Sequence, residues 1–152
     1  MKNLRISIIA GLVAAGLTGG AFAADNAQIK VTASVTPNCQ VVSHQDINFG
    51  ALDPALATDA KAVGAVSFAC TKSVNYTLSA DKGQNASGDK RRMKGDEENY
   101  LPYALAQDSF TGKGQGFSTP ITVALNATVA GVDYKDLPAA SYADVLRVTV
   151  MP

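Results

Sequence analysis

Few residues in this 152-residue chain carry chemistry beyond packing: two cysteines, one histidine and two short blocks of charge. Cys39 and Cys70 stand 31 positions apart with no CxxC, a poor arrangement for a zinc or redox site. His44 could serve as a general base, but no serine or cysteine nucleophile motif accompanies it. It reads as a solvent-facing loop residue. Gly112 to Gly116 is glycine-rich yet lacks the Lys-Ser/Thr ending of a phosphate loop, and reads as a mobile hairpin loop. Lys90-Arg91-Arg92 and Asp96-Glu97-Glu98 flank Gly95. These blocks could hold an ion, but adjacent opposite charges offset each other, and the preferred reading is a solvated turn. Asn75-Tyr76-Thr77, Asn85-Ala86-Ser87 and Asn126-Ala127-Thr128 match glycosylation sequons, which matter only in a chain that passes through an endoplasmic reticulum. The set offers no catalytic, metal-binding or cofactor-binding residue. The expectation is a structural or binding protein, not an enzyme.

Composition narrows the class further. Apolar residues make up 47% and charged residues 17%, too apolar a mix for a disordered chain. Thirteen basic side chains balance 13 acidic ones, so no basic field exists to hold nucleic acid or an anionic membrane. Residues 1–23 read as a secretory signal peptide. Lys2 and Arg5 form its positive start, Ile6 to Leu17 its apolar run, and Ala21-Phe22-Ala23 an A-x-A cleavage pattern. No cysteine sits at that exit, which argues against a lipid anchor. Nothing later approaches the roughly 18 continuous apolar residues of a membrane helix. In an exported chain an even pair of cysteines reads as a disulfide. Closing a loop of about 32 residues contributes roughly 3–4 kcal/mol in the chain-entropy account.

The elements that would position these residues are strands, because the dominant period is two. Ile29, Val31, Ala33 and Val35 alternate with Lys30, Thr32 and Ser34. The same alternation marks Val66 to Cys70, Val74 to Leu78, Leu101 to Leu105, Ile121 to Val129 and Leu146 to Val150. Pro102 suggests an edge or a bulge, since it cannot donate to a ladder. Asn48-Phe49-Gly50, Asp53-Pro54, Lys82-Gly83, Ser87-Gly88 and Leu137-Pro138 punctuate the runs. The stretch from Asp53 to Val66 reads as loop plus strand. About seven short strands at this spacing predict an all-β sandwich of one domain. For Ile29 to Val35 the pattern leaves two readings: the first strand of this sandwich, or a strand made for another subunit.

Taken in order, these features resemble the spore coat protein U domain family, which includes subunits of archaic (Csu-like) chaperone–usher pili. The likeness runs from the alternating segment before Asn38-Cys39 through Ile47-Asn48-Phe49-Gly50, similar to an LNFG-type segment. It continues through Val66 to Thr71 around the second cysteine. Arg91-Arg92-Met93 and Tyr100 to Leu105 resemble R-x-M and L-x-Y-x-L blocks. Pro138 to Asp144, leading into Val148-Thr149-Val150, resembles a P-x-G-x-Y-x-D ending. Ala140 stands where glycine is common, and the chain ends Met151-Pro152 where an aromatic is frequent.

The resemblance implies an incomplete immunoglobulin-like β-sandwich completed by donor-strand exchange. Residues 24–38 would be the N-terminal donor strand, with Ile29, Val31, Ala33 and Val35 as its plugs. Residues 39–152 would be the acceptor body, its groove lined by Leu146, Val148 and Val150, with Cys39–Cys70 tying its first strand to its second. The implied partners are neighbouring subunits in a homopolymer, a periplasmic chaperone and an outer-membrane usher. The implied place is the cell surface, reached through the periplasm, and the implied work is adhesion and biofilm formation. Two alternatives stand beside it: a spore or cell-surface coat protein of the same fold, and a periplasmic ligand-binding β-sandwich.

Overall fold

The computed structural model describes residues 25–152; the signal peptide read at 1–23 lies outside the described residues. Contacts divide the chain between Ala33 and Ser34. Residues 25–33 carry neither helix nor strand, and Ile29 and Val31 are 85% and 90% exposed. Ala33 is exposed as well.

Ser34–Pro152 holds every described strand: β1 (Cys39–Gln45), β2 (Ala60–Cys70), β3 (Asn75–Ala80), β4 (Arg91–Lys94), β5 (Tyr100–Leu105), β6 (Ser109–Lys113), β7 (Ile121–Val129) and β8 (Val148–Met151). A single helical turn, α1 (Gly131–Tyr134), follows β7. The strands form two antiparallel sheets, a five-stranded one in the order β1-β2-β7-β5-β4 and a three-stranded one in the order β6-β3-β8. The protein is all-β, as the alternation predicts.

Period two builds the core directly. β2 and β7 pair along their length, Val66 opposite Val123 and Phe68 opposite Ile121. Each turns alternate apolar side chains inward while Lys61, Thr122 and Asn126 stay outside or at the rim. Phe68, Leu78 and Val129 are fully buried, each worth about 1.5–3 kcal/mol in apolar burial. Phe68 of one sheet meets Tyr76 of the other edge-on, ring centroids 4.8 Å apart, an arrangement that satisfies the ring quadrupoles. A second cluster of Leu101, Val129 and Tyr134 closes the far end of the sandwich.

Several elements depart from the sequence reading. β1 does not alternate cleanly, because a bulge falls between Val41 and Ser43 and leaves Val42 as an extra residue. β4 and β6 are short and polar, too brief for periodicity to mark, and β6 takes in Gly112 and Lys113 of the expected mobile loop. His44 lies on β1 and not in a loop, although it is exposed as expected. Pro102 sits on β5, which is flanked by β4 and β7, yet β5 reaches β7 only through Ala104 and Leu105. One side of β5 is therefore free of ladder at the proline. The charged run at 90–92 is not wholly a solvated turn: Arg91 is 5% exposed.

Candidate functional site

Three strands do not cover five, and the shortfall defines the site. β1 is an edge of the larger sheet and β8 an edge of the smaller one. No ladder joins them. Between them the inner face of the larger sheet lies open as a trough of about 730 Å³, with Val66, Met93, Tyr103 and Leu125 on its floor. β1 contributes Val41 and His44 to one wall, and Leu146 and Val148 stand on the other. The trough continues past Ile47, Phe49, Met93 and Tyr142 into a second hollow of about 530 Å³ beside Leu52, Leu137 and Pro138.

The β8 wall is longer than its strand. From Ser141 to Val150 the side chains alternate strictly, with Tyr142, Asp144, Leu146, Val148 and Val150 half-buried and the residues between them exposed. Its inner flank is stitched to the body throughout. Lys94 and Ala143 exchange backbone hydrogen bonds of 2.8 and 3.0 Å, the Gln84 N–H donates to the Val145 carbonyl, and the Asp81 N–H donates to that of Arg147. β3 then takes over from Val148. The backbone groups of Asp144 and Leu146 have no ladder partner among the described residues, which makes this flank a template for an added strand.

The expected groove residues are thus distributed unevenly. Leu146 and Val148 line the trough, whereas Val150 packs against the cluster of Phe68, Tyr76 and Leu78. Leu146 precedes β8 and is held in line by the Asp81 and Gln84 contacts on either side of it. Among the lining residues that sequence reasoning did not assign to the groove are Ile47, Phe49, Met93 and Tyr142. All four lie in the blocks that carry the family resemblance, which was the available signal. Gly64 makes the Ile47 wall possible. A Cβ there would fall 2.6 Å from Ile47 Cγ1 and 2.9 Å from the Gln45 carbonyl, so only glycine lets that segment cross β2 so closely.

One polar group is built into the apolar floor. The Asp144 carboxylate accepts from the Tyr103 hydroxyl at 2.8 Å and from the Asn85 backbone and side-chain amides at 3.0 Å each. Burial first, then the hydrogen bond to Asp144, pushes the Tyr103 hydroxyl well above the ordinary tyrosine range. It donates and stays neutral. His44 stands 3.9 Å from Asp46, both strongly exposed, with no nucleophile in the arrangement. Among the described residues no group of three or more metal-ligating side chains converges.

Cys39 and Cys70, directly opposed on β1 and β2, form a disulfide. Beside it the chain entering β1 is pinned. The Asn38 N–H donates to Thr71 Oγ1 at 3.0 Å, and the Thr71 N–H donates back to the Asn38 carbonyl at 2.9 Å.

The family model of the Spore Coat Protein U domain matches residues 25–149. No curated protein matches the chain. Among solved structures it is similar to a chain in the crystal structure of the CsuC-CsuE chaperone-tip adhesion subunit pre-assembly complex from archaic chaperone-usher Csu pili of Acinetobacter baumannii. The identity is 22% and the TM-score 0.46, over 77% of this chain and 40% of that one. It therefore spans less than half the length of the chain it matches.

Proposed function

Because the chain belongs to the Spore Coat Protein U domain family, we propose that it is a non-catalytic subunit of a surface fibre assembled along the chaperone–usher route. The observation that carries this reading is the open trough between β1 and the 142–151 wall, together with an exposed alternating segment in the same chain. Residues 24–38 act as the donor, and Ile29, Val31, Ala33 and Val35 fill the trough of a neighbouring subunit whose body is residues 39–152. A periplasmic chaperone occupies the trough first, and the exchange takes place at an outer-membrane usher. The strand ladder supplies affinity and the alternate side chains supply specificity. Three β-branched plugs at roughly 1.5–3 kcal/mol each bury about 5–9 kcal/mol worth of apolar surface, from which docking entropy subtracts several kcal/mol. The polymer is exported through the periplasm to the cell surface, where it supports adhesion and biofilm growth.

The experiment expresses the subunit with its chaperone and usher and scores chaperone complex and surface fibre separately. Val31→Asp places a charge in an apolar trough at a cost of several kcal/mol or more. It leaves the chaperone complex intact and abolishes incorporation. Lys30→Asp, on the alternate face, is mild because its side chain stays in water. Loss of the chaperone complex with Val31→Asp would assign the segment to the subunit's own core. Normal fibres from both variants would remove its donor role.

A further inference from the structure

The two ends of the body differ in charge, and each end shows apolar side chains to solvent. At one end, the turn before β2 and the turn of α1 are locked together. The Gly131 N–H donates to Asp59 Oδ1 at 3.0 Å and the Tyr134 hydroxyl donates to the Thr58 carbonyl at 2.7 Å. This fixed platform exposes Leu56 by 68% and Val132 by 70%. Its acids are Asp53, Asp59, Asp133 and Asp136, and its cations are Lys135, 3.8 Å from Asp136, and Lys61, exposed at the start of β2. At the other end, the turns after β2 and β6 are held by the Ser73 N–H to the Gly114 carbonyl and the Gly116 N–H to that of Cys70. They carry Lys72 and Lys113, no acid, and Phe117, which is 49% exposed. β2 runs from Ala60 at the acidic end to Cys70 at the basic one, so the ends stand about 33 Å apart at roughly 3.3 Å per residue.

We propose a second contact between successive copies of this chain: the basic end of one body, with Phe117, seats on the acidic end of the next, against Leu56 and Val132. This rests on the donor-strand reading, which also sets the direction. The donor leaves its body at Asn38, beside Thr71 and Lys72, at the basic end. Every strand pair among the described residues is antiparallel. A donor added to the β8 wall in the same sense points its C-terminal end toward Pro138, at the acidic end of the accepting subunit. Filling the trough therefore brings a basic surface over an acidic one. The contact is heterologous and repeats without closing, as a filament requires. Its rim charges set register and salt dependence, and its three apolar side chains are covered from water.

The test is zero-length carbodiimide cross-linking of purified fibres, with the linked peptides identified by mass spectrometry. Links from Lys72 or Lys113 to Asp133 or Asp136 are expected, and the separation of the two ends makes them intermolecular. Lys72→Glu with Lys113→Glu abolishes them while fibres still form. Adding Asp133→Lys with Asp136→Lys restores linkage in the reversed sense. Fibres of normal yield with no such links, or with the lysines joined to other surfaces, overturn the contact and leave the donor reading standing. Fibres that survive Val31→Asp instead remove the donor reading, whatever the links.

Discussion

On the β4 flank of the sandwich, Arg91 reaches from the larger sheet to the smaller one. Its Nε donates to the Asp81 carbonyl at 2.9 Å, and its Nη1 meets Asp108 Oδ1 at 2.9 Å. Lys82 holds the same carboxylate at 2.9 Å, and Lys94 pairs with Ala143 to join β4 to the terminal segment. On the β1 flank no such clasp joins the sheets among the described residues: β1 and β8 face a mainly apolar trough, with His44, Asp46 and Asp144 among its lining. The closed flank uses a buried guanidinium whose fixed hydrogen bonds admit one arrangement. The open flank presents apolar surface beside an unpaired strand edge. Under the donor-strand proposal the body needs both, because a body that can gape on both sides has no defined trough.

The comparison breaks most directly at Arg91. Arg91→Ala removes the clasp and its charge-assisted hydrogen bonds to the Ala80 and Asp81 carbonyls, so unfolding should become easier by about 3–5 kcal/mol at roughly 1.5–3 kcal/mol per bond to a charged group. Chemical denaturation of the oxidised protein measures this, and a change under 1 kcal/mol (about one hydrogen bond) would show that the flank is held by other means. Cys39→Ser with Cys70→Ser releases the trough's β1 wall from β2, with a loss of roughly 3–4 kcal/mol expected from the same measurement. Tyr103→Phe sharpens the contrast, since it removes the Tyr103–Asp144 hydrogen bond from the trough floor. A cost of about 1 kcal/mol is expected. Because the folded protein holds this hydroxyl protonated, its contribution is present below the ordinary tyrosine pKa and fades as pH climbs above it. Tyr103→Phe should flatten that alkaline loss.

The smallest effect is acid weakening of the closed flank. The hydrogen bond from Lys82, opposed by burial and aided by Arg91, holds the Asp108 carboxyl below its usual value. Its stabilising share is present above the unfolded carboxylate pKa and is lost as pH falls through the lower folded one. At 41% side-chain exposure this share is modest. Asp108→Asn should reduce the steepness of unfolding below about pH 4, and an unchanged acid profile would take Asp108 out of the clasp.

What the sequence made legible followed from the length of uninterrupted alternation. β2, β3, β5, β7 and β8 repeat every second residue and were readable. β1 was hidden by the bulge at Val42, and β4 and β6 by brevity. Arg91 was misread because a run of three cations carries no sign of which one turns inward; that depends on Asp81 and Asp108, brought up by other strands. The trough was legible in part. Period two marks Leu146 and Val148 as one face of a strand, and only the family resemblance places them at a groove; Phe49, Met93 and Tyr142 come together through the sheet order, which local patterning does not encode.

The pinning of Asn38 has a mechanical side. If residues 29–35 sit in a neighbour, tension along the fibre enters each body at Thr36–Asn38. There it meets the Thr71 hydrogen bonds and then the bridge from Cys39 to Cys70. That bridge hands the load across to the end of β2, a strand flanked on both sides by β1 and β7. A pull that would otherwise peel β1 away one hydrogen bond at a time must instead shear an eleven-residue central strand all at once. The covalent link acts as a strain relief, as a cable clamp spares the solder joint behind it.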